Sequence, residues 1–140
     1  MFKFVKSPNS SVVPEIITAK AMKVYPIKRG CIYFIADDAV VPYRPIGEIV
    51  LFYAIESLPE GHDEQTVRGF LITPGMIFEA DTISPFVDRN IGDSFTFNTH
   101  STKPVEGVLP SLDGDGNSYG ILLSNQPQED PTSRVYIMFT

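Results

Sequence analysis

Apolar and polar residues alternate along much of this chain, the period-two pattern of strands that bury one face. In Ser94-Phe95-Thr96-Phe97-Asn98 the two phenylalanines share one face and the polar residues take the other. In Cys31-Ile32-Tyr33-Phe34-Ile35-Ala36 one face carries Ile32, Phe34 and Ala36, the other Cys31, Tyr33 and Ile35. Arg134-Val135-Tyr136-Ile137-Met138-Phe139 is rich in β-branched and aromatic residues and reads as a closing strand. Ile46–Leu58 is apolar nearly throughout. It fits a strand buried on both faces or one short helix, with the strand favoured.

Turn residues punctuate these runs. Thr73-Pro74-Gly75 suits a type II turn, joining Thr66–Ile72 to Gly75–Ala80 as a hairpin. Asp113-Gly114-Asp115-Gly116-Asn117 makes a second loop, between Val105–Leu109 and Tyr119–Leu123. Twelve prolines and ten glycines leave few windows long enough for a helix. The pattern predicts an all-β fold, a small barrel or sandwich of roughly seven to ten short strands. No internal repeat is visible. Residues 1–14, with Pro8 and Pro14 and little periodicity, read as an extended N-terminal arm, and residues 15–140 as a single β domain.

Length and composition narrow the class. A chain of 140 residues is one domain's worth, able to bury roughly 70% of its unfolded surface without covalent staples. Cys31 is the lone cysteine, so neither an intramolecular disulfide nor a thiolate metal cluster can form, which fits a reducing compartment. The start, Met-Phe-Lys-Phe-Val-Lys-Ser-Pro, interleaves charge with apolar residues and lacks the separate regions of a signal peptide. The longest apolar run, Ile49 to Ile55, is far shorter than the ~20 residues that span a bilayer. The expectation is a protein made in the cytoplasm with no membrane partner.

The net charge of −6 is unevenly spread. Residues 1–29 hold six basic side chains against Glu15 alone, whereas residues 59–140 hold four against twelve acidic ones. The acidic majority argues against nucleic acid as a partner, and the basic start suits an acidic protein surface.

Catalytic chemistry has little to work with. His62 and His100 are the only histidines; with Glu64 they could make an open metal site, but no ligand pair has preorganising spacing, and His62 reads as part of a solvated turn. Asp113, Asp115 and Asn117 match the first oxygen ligands of a calcium loop, yet Ser118 and Ser124 stand where glycine and glutamate are needed. Cys31 lies within an apolar strand with no base in its sequence context and reads as a buried, inert thiol. Neither a nucleophile elbow nor a phosphate loop occurs. The expectation is a protein that is not an enzyme, with no metal and no cofactor.

Read in order, the strand and turn signals resemble those of the small capsid decoration (cement, or head-stabilising) proteins of tailed bacteriophages. The likeness spans residues 20–140 and is carried by Lys28-Arg29-Gly30 leading into Cys31–Ala36, by Gly75-Met76-Ile77-Phe78-Glu79-Ala80, by Ile91-Gly92-Asp93-Ser94-Phe95-Thr96-Phe97 and by the closing Val135–Phe139. The resemblance implies a structural protein of the virion. It would bind the major capsid protein on the outer capsid surface as a homo-oligomer, in this family often a trimer, and hold neighbouring capsomers together. In such a protein Phe2, Phe4 and Val5 of the arm, beside Lys3 and Lys6, are expected to dock on the capsid or on a neighbouring subunit, since they cannot form a core of their own. The alternative is a small-molecule- or glycan-binding β domain acting as an accessory module.

Overall fold

The computed structural model describes residues 1–8, 14–82, 90–97, 105, 107–110, 118–124 and 135–140. Among these the regular elements are all strands, so the fold is all-β as the alternation predicts. Eleven strands occur among the described residues: β1 (Phe2–Lys6), β2 (Ile17–Ala21), β3 (Ile32–Ala36), β4 (Ala39–Val41), β5 (Leu51–Ala54), β6 (Thr66–Leu71), β7 (Ile77–Thr82), β8 (Ser94–Thr96), β9 (Gly107–Pro110), β10 (Gly120–Leu122) and β11 (Val135–Phe139). The ambiguous apolar stretch supplies β5 and no helix, and its first residue, Ile46, stands fully in solvent.

The chain divides into two compact units, where an arm and one domain were expected. One comprises Met1–Val13, Thr73–Asn98 and Glu106–Thr140; the other comprises Pro14–Ile72 and Thr99–Val105. In the second of these, β2 to β6 close into a barrel in the order β2-β4-β3-β5-β6. All neighbours are antiparallel except β2 and β4, which run parallel with Lys20 opposite Ala39. The β3–β4 hairpin turns on Asp37 and Asp38, both left-handed at φ 50° and 65°, the geometry that matches strand twist in two-residue hairpins. Tyr33, Val40, Phe52, Val67 and Cys31 are fully buried in its core.

The other unit contains a six-stranded sheet ordered β1-β7-β11-β10-β8-β9. An additional parallel pairing of β7 with β9 joins the ends of the run β7-β11-β10-β8-β9 into a ring, with β1 attached outside it. Its core is aromatic: Phe139 lies 5.5 Å from Phe78 and 5.4 Å from Phe95, both edge to face. The turn signals do not pair the strands that flank them. The Thr73-Pro74-Gly75 turn forms, with Gly75 at φ 89° and Met76 N–H donating to the Thr73 carbonyl at 3.2 Å. It does not make a hairpin, because β6 and β7 belong to different sheets. Likewise β9 and β10 pair on either side of β8 and not with each other. Turn residues specify a local reversal; which strands then pair is decided by the burial of their faces.

The two rings are the same barrel. Replacing β2, β3, β4, β5 and β6 by β7, β8, β9, β10 and β11 converts one strand order into the other, with the same single parallel pair. The register agrees all the way round. Ala19 opposite Val67 matches Ala80 opposite Val135, Ala21 opposite Val40 matches Thr82 opposite Val108, and Ala54 opposite Gly69 matches Leu122 opposite Ile137. Hydrogen bonds outside the ladders repeat as well. Ile55 N–H donates to the Arg68 carbonyl (3.1 Å) and Leu123 N–H to that of Tyr136 (2.8 Å). Arg68 N–H reaches Glu56 Oε1 (2.7 Å), and Tyr136 N–H reaches Ser124 Oγ (2.9 Å). The chain therefore contains an internal repeat that its sequence does not show.

Candidate functional site

The residues expected to form a docking arm are a structural strand. β1 runs antiparallel to β7 with Phe2, Lys3 and Phe4 opposite Ala80, Glu79 and Phe78, and a bulge before Lys6. Alternation turns Phe2 inward, where it is 2% exposed. Its ring meets Phe78 and Phe97 edge-on at 6.4 and 6.0 Å, and Phe4 packs on Phe78 at 5.4 Å. The terminal amine of Met1 pairs with Asp81 at 3.0 Å. Lys3, Val5 and Lys6 remain on the exposed face. Thus Phe2 belongs to a core and is not available to a partner. The expectation missed this because a segment judged alone hides the sheet it completes.

His62 is the other displaced expectation. It is buried, with Nε2 lying 3.2 Å from the Tyr25 carbonyl and so acting as the donor. That bond, with the reciprocal 2.8 Å bonds between Ile27 and Leu58, fixes the β2–β3 connection against the barrel. His100, Asp113, Asp115 and Asn117 lie outside the described residues. Among the described residues no three His, Cys, Asp or Glu side chains gather as a metal site would require.

With its backbone held in this way, the connection buries Ile27 and turns other side chains outward. Tyr25 N–H bonds to the Met22 carbonyl at 3.1 Å, a tight turn that leaves Met22 and Val24 exposed, Val24 by 64%. Tyr43, also exposed, stands edge-on to Tyr25 at 6.0 Å and brings the β4–β5 connection alongside. Partial burial, and then the neighbouring Tyr43, raise the Tyr25 phenol above its ordinary value. Lys20, Lys23, Lys28 and Arg29 are exposed along the same stretch, which holds no acidic residue between positions 20 and 29. Asp63 reaches Lys23 at 3.3 Å, both well exposed, an ion pair worth little in water. The connection thus exposes apolar side chains and cations within one short stretch, with Tyr43 beside it. One signal for it was legible: the run of four cations interrupted only by apolar and small residues. No family model, curated protein or solved structure matches the chain.

Proposed function

We propose that this protein is a non-enzymatic structural protein that binds the outer surface of a bacteriophage capsid, using the Lys20–Arg29 stretch and Tyr43 of the β2–β6 barrel. The observation that carries this reading is the exposed combination of Met22, Val24 and Tyr43 with Lys20, Lys23, Lys28 and Arg29. Fully covering a side chain such as Val24 gains roughly 1.5–3 kcal/mol, and the cations favour an acidic partner. The capsid as partner is supported by the likeness to decoration proteins at Lys28-Arg29-Gly30 and Ile91–Phe97. Assembly as a trimer belongs to the same proposal. On a lattice, many equivalent weak contacts sum to firm attachment, so no single contact need be strong.

The test is co-sedimentation of the protein with purified DNA-filled capsids from a panel of tailed bacteriophages. Saturable pelleting with at least one capsid is expected, weakened by added salt and cut at least tenfold by Lys23→Glu with Lys28→Glu. Failure to pellet with every capsid, or pelleting indifferent to both substitutions, would overturn the proposal.

A further inference from the structure

We propose that the outer edge of β2 is a binding site for an extended segment of another protein, one carrying an acidic residue followed by an apolar one. This goes beyond the capsid reading and does not depend on it. The two barrels differ at this edge. On β7, residues Ile77–Ala80 pair with β11 along one edge and with β1 along the other. On β2, residues Ile17–Lys20 pair with β6, and β4 begins only at Lys20. The stretch equivalent to the one β1 covers pairs with no strand among the described residues. Antiparallel alternation directs the backbone groups of Glu79 to β1, and those of its counterpart Thr18 to this edge. Thr18 and Ile16 are both exposed.

The side chains repeat the comparison. In the β7–β11 barrel Phe2 of β1 caps Phe78 and Phe97, and both are 0% exposed. Their counterparts on the β2–β6 barrel are Ile17 and Ile35, which pack against the core but are only partly buried. An apolar residue delivered by a strand on β2 would cover them as Phe2 covers its pair. Such strand addition draws affinity from backbone hydrogen bonds and specificity from alternate side chains.

Charge selects the occupant. Asp81 pairs with the Met1 amine at the end of β1. Lys20 stands at the matching position of β2, so the residue opposite it should be a carboxylate. A second copy of this chain would bring its own Met1 amine and Lys3 to that edge, which sets like charges together. The site therefore favours a foreign acidic strand over a swapped copy of β1.

The experiment titrates isotope-labelled full-length protein with two capped peptides, Asp-Phe-Thr-Phe-Thr and Lys-Phe-Thr-Phe-Thr, followed by NMR. The acidic peptide is expected to bind at least tenfold more tightly, with shifts concentrated at Thr18, Lys20 and Ile35. Lys20→Glu, an exposed change, should reverse the preference. Equal binding, no binding, or shifts centred elsewhere would overturn the proposal, and the wild-type comparison decides this without the variant.

Discussion

Gly30 and Gly92 occupy the same position in the two barrels. Gly30 N–H donates to the Ala54 carbonyl at 2.9 Å with φ at 84°, and Gly92 N–H to the Leu122 carbonyl at 2.8 Å with φ at 94°. Each completes a turn closed in the same way, by Cys31 N–H on the Lys28 carbonyl (3.2 Å) and Asp93 N–H on that of Asn90 (3.1 Å). A side chain at such a φ costs about 1–2 kcal/mol. Gly30→Ala and Gly92→Ala should each lose that much stability in urea denaturation. A Cβ on Gly92 would meet nothing within 4 Å, so its loss isolates the backbone effect. An unchanged midpoint would mean that the left-handed turn is not required there.

A second pair of glycines exchanges places between the barrels. Phe52 and Gly69 lie on the two strands of the β5–β6 hairpin; their counterparts on β10 and β11 are Gly120 and Ile137. Each hairpin thus combines one large inward residue with one glycine. A methyl group on Gly69 would strike the Tyr53 carbonyl and the Phe52 ring, and one on Gly120 the Met138 carbonyl and the Phe95 ring. Gly69→Ala and Gly120→Ala should each destabilise by about 1–3 kcal/mol through overpacking. Calorimetric melting of both variants measures this.

The burial of β1 separates its residues sharply. Phe2→Ala should cost about 3–5 kcal/mol, the loss of a buried aromatic ring. Lys3→Ala and Val5→Ala, on the exposed face, should stay within about 0.5 kcal/mol. Chemical denaturation of the three variants checks the contrast. A harmless Phe2→Ala would restore the reading of this segment as a free arm.

His62→Ala should loosen the β2–β3 connection, since it removes the donor to the Tyr25 carbonyl from a buried position. A loss of about 1–3 kcal/mol is expected. Faster amide exchange at Tyr25 and Ile27 than in the wild type would locate the effect.

Strand periodicity was legible where a strand buries one face: Val135, Ile137 and Phe139 point inward in β11 while Tyr136 stays exposed, whereas Thr96, expected on an outward face, is buried together with Phe95 and Phe97. The repeat was not legible. Equivalent positions share only scattered identities, among them Ala19 with Ala80, Gly30 with Gly92, Val40 with Val108 and Val67 with Val135. Elsewhere the barrels fill equivalent space differently, Tyr33 by Phe95 and Ala54 by Leu122, as cores tolerate when total volume is kept. The period is also broken, because two residues, Asp37 and Asp38, turn one hairpin while a much longer connection joins β8 to β9. The candidate surface was half legible. Its cations stand together in the chain, but Tyr43 joins them only through its contact with Tyr25. No local pattern announces a contact between separate loops.

The doubled barrel can be tested most directly by NMR couplings transmitted through hydrogen bonds. Cross-peaks are expected from Gly30 N to the Ala54 carbonyl carbon and from Gly92 N to that of Leu122. A second matched pair should run from Ile55 N to Arg68 and from Leu123 N to Tyr136. Observing both members of each pair is the expected result. Finding one member of each pair without its counterpart would contradict the repeat, and with it the comparison that assigns a strand to the edge of β2.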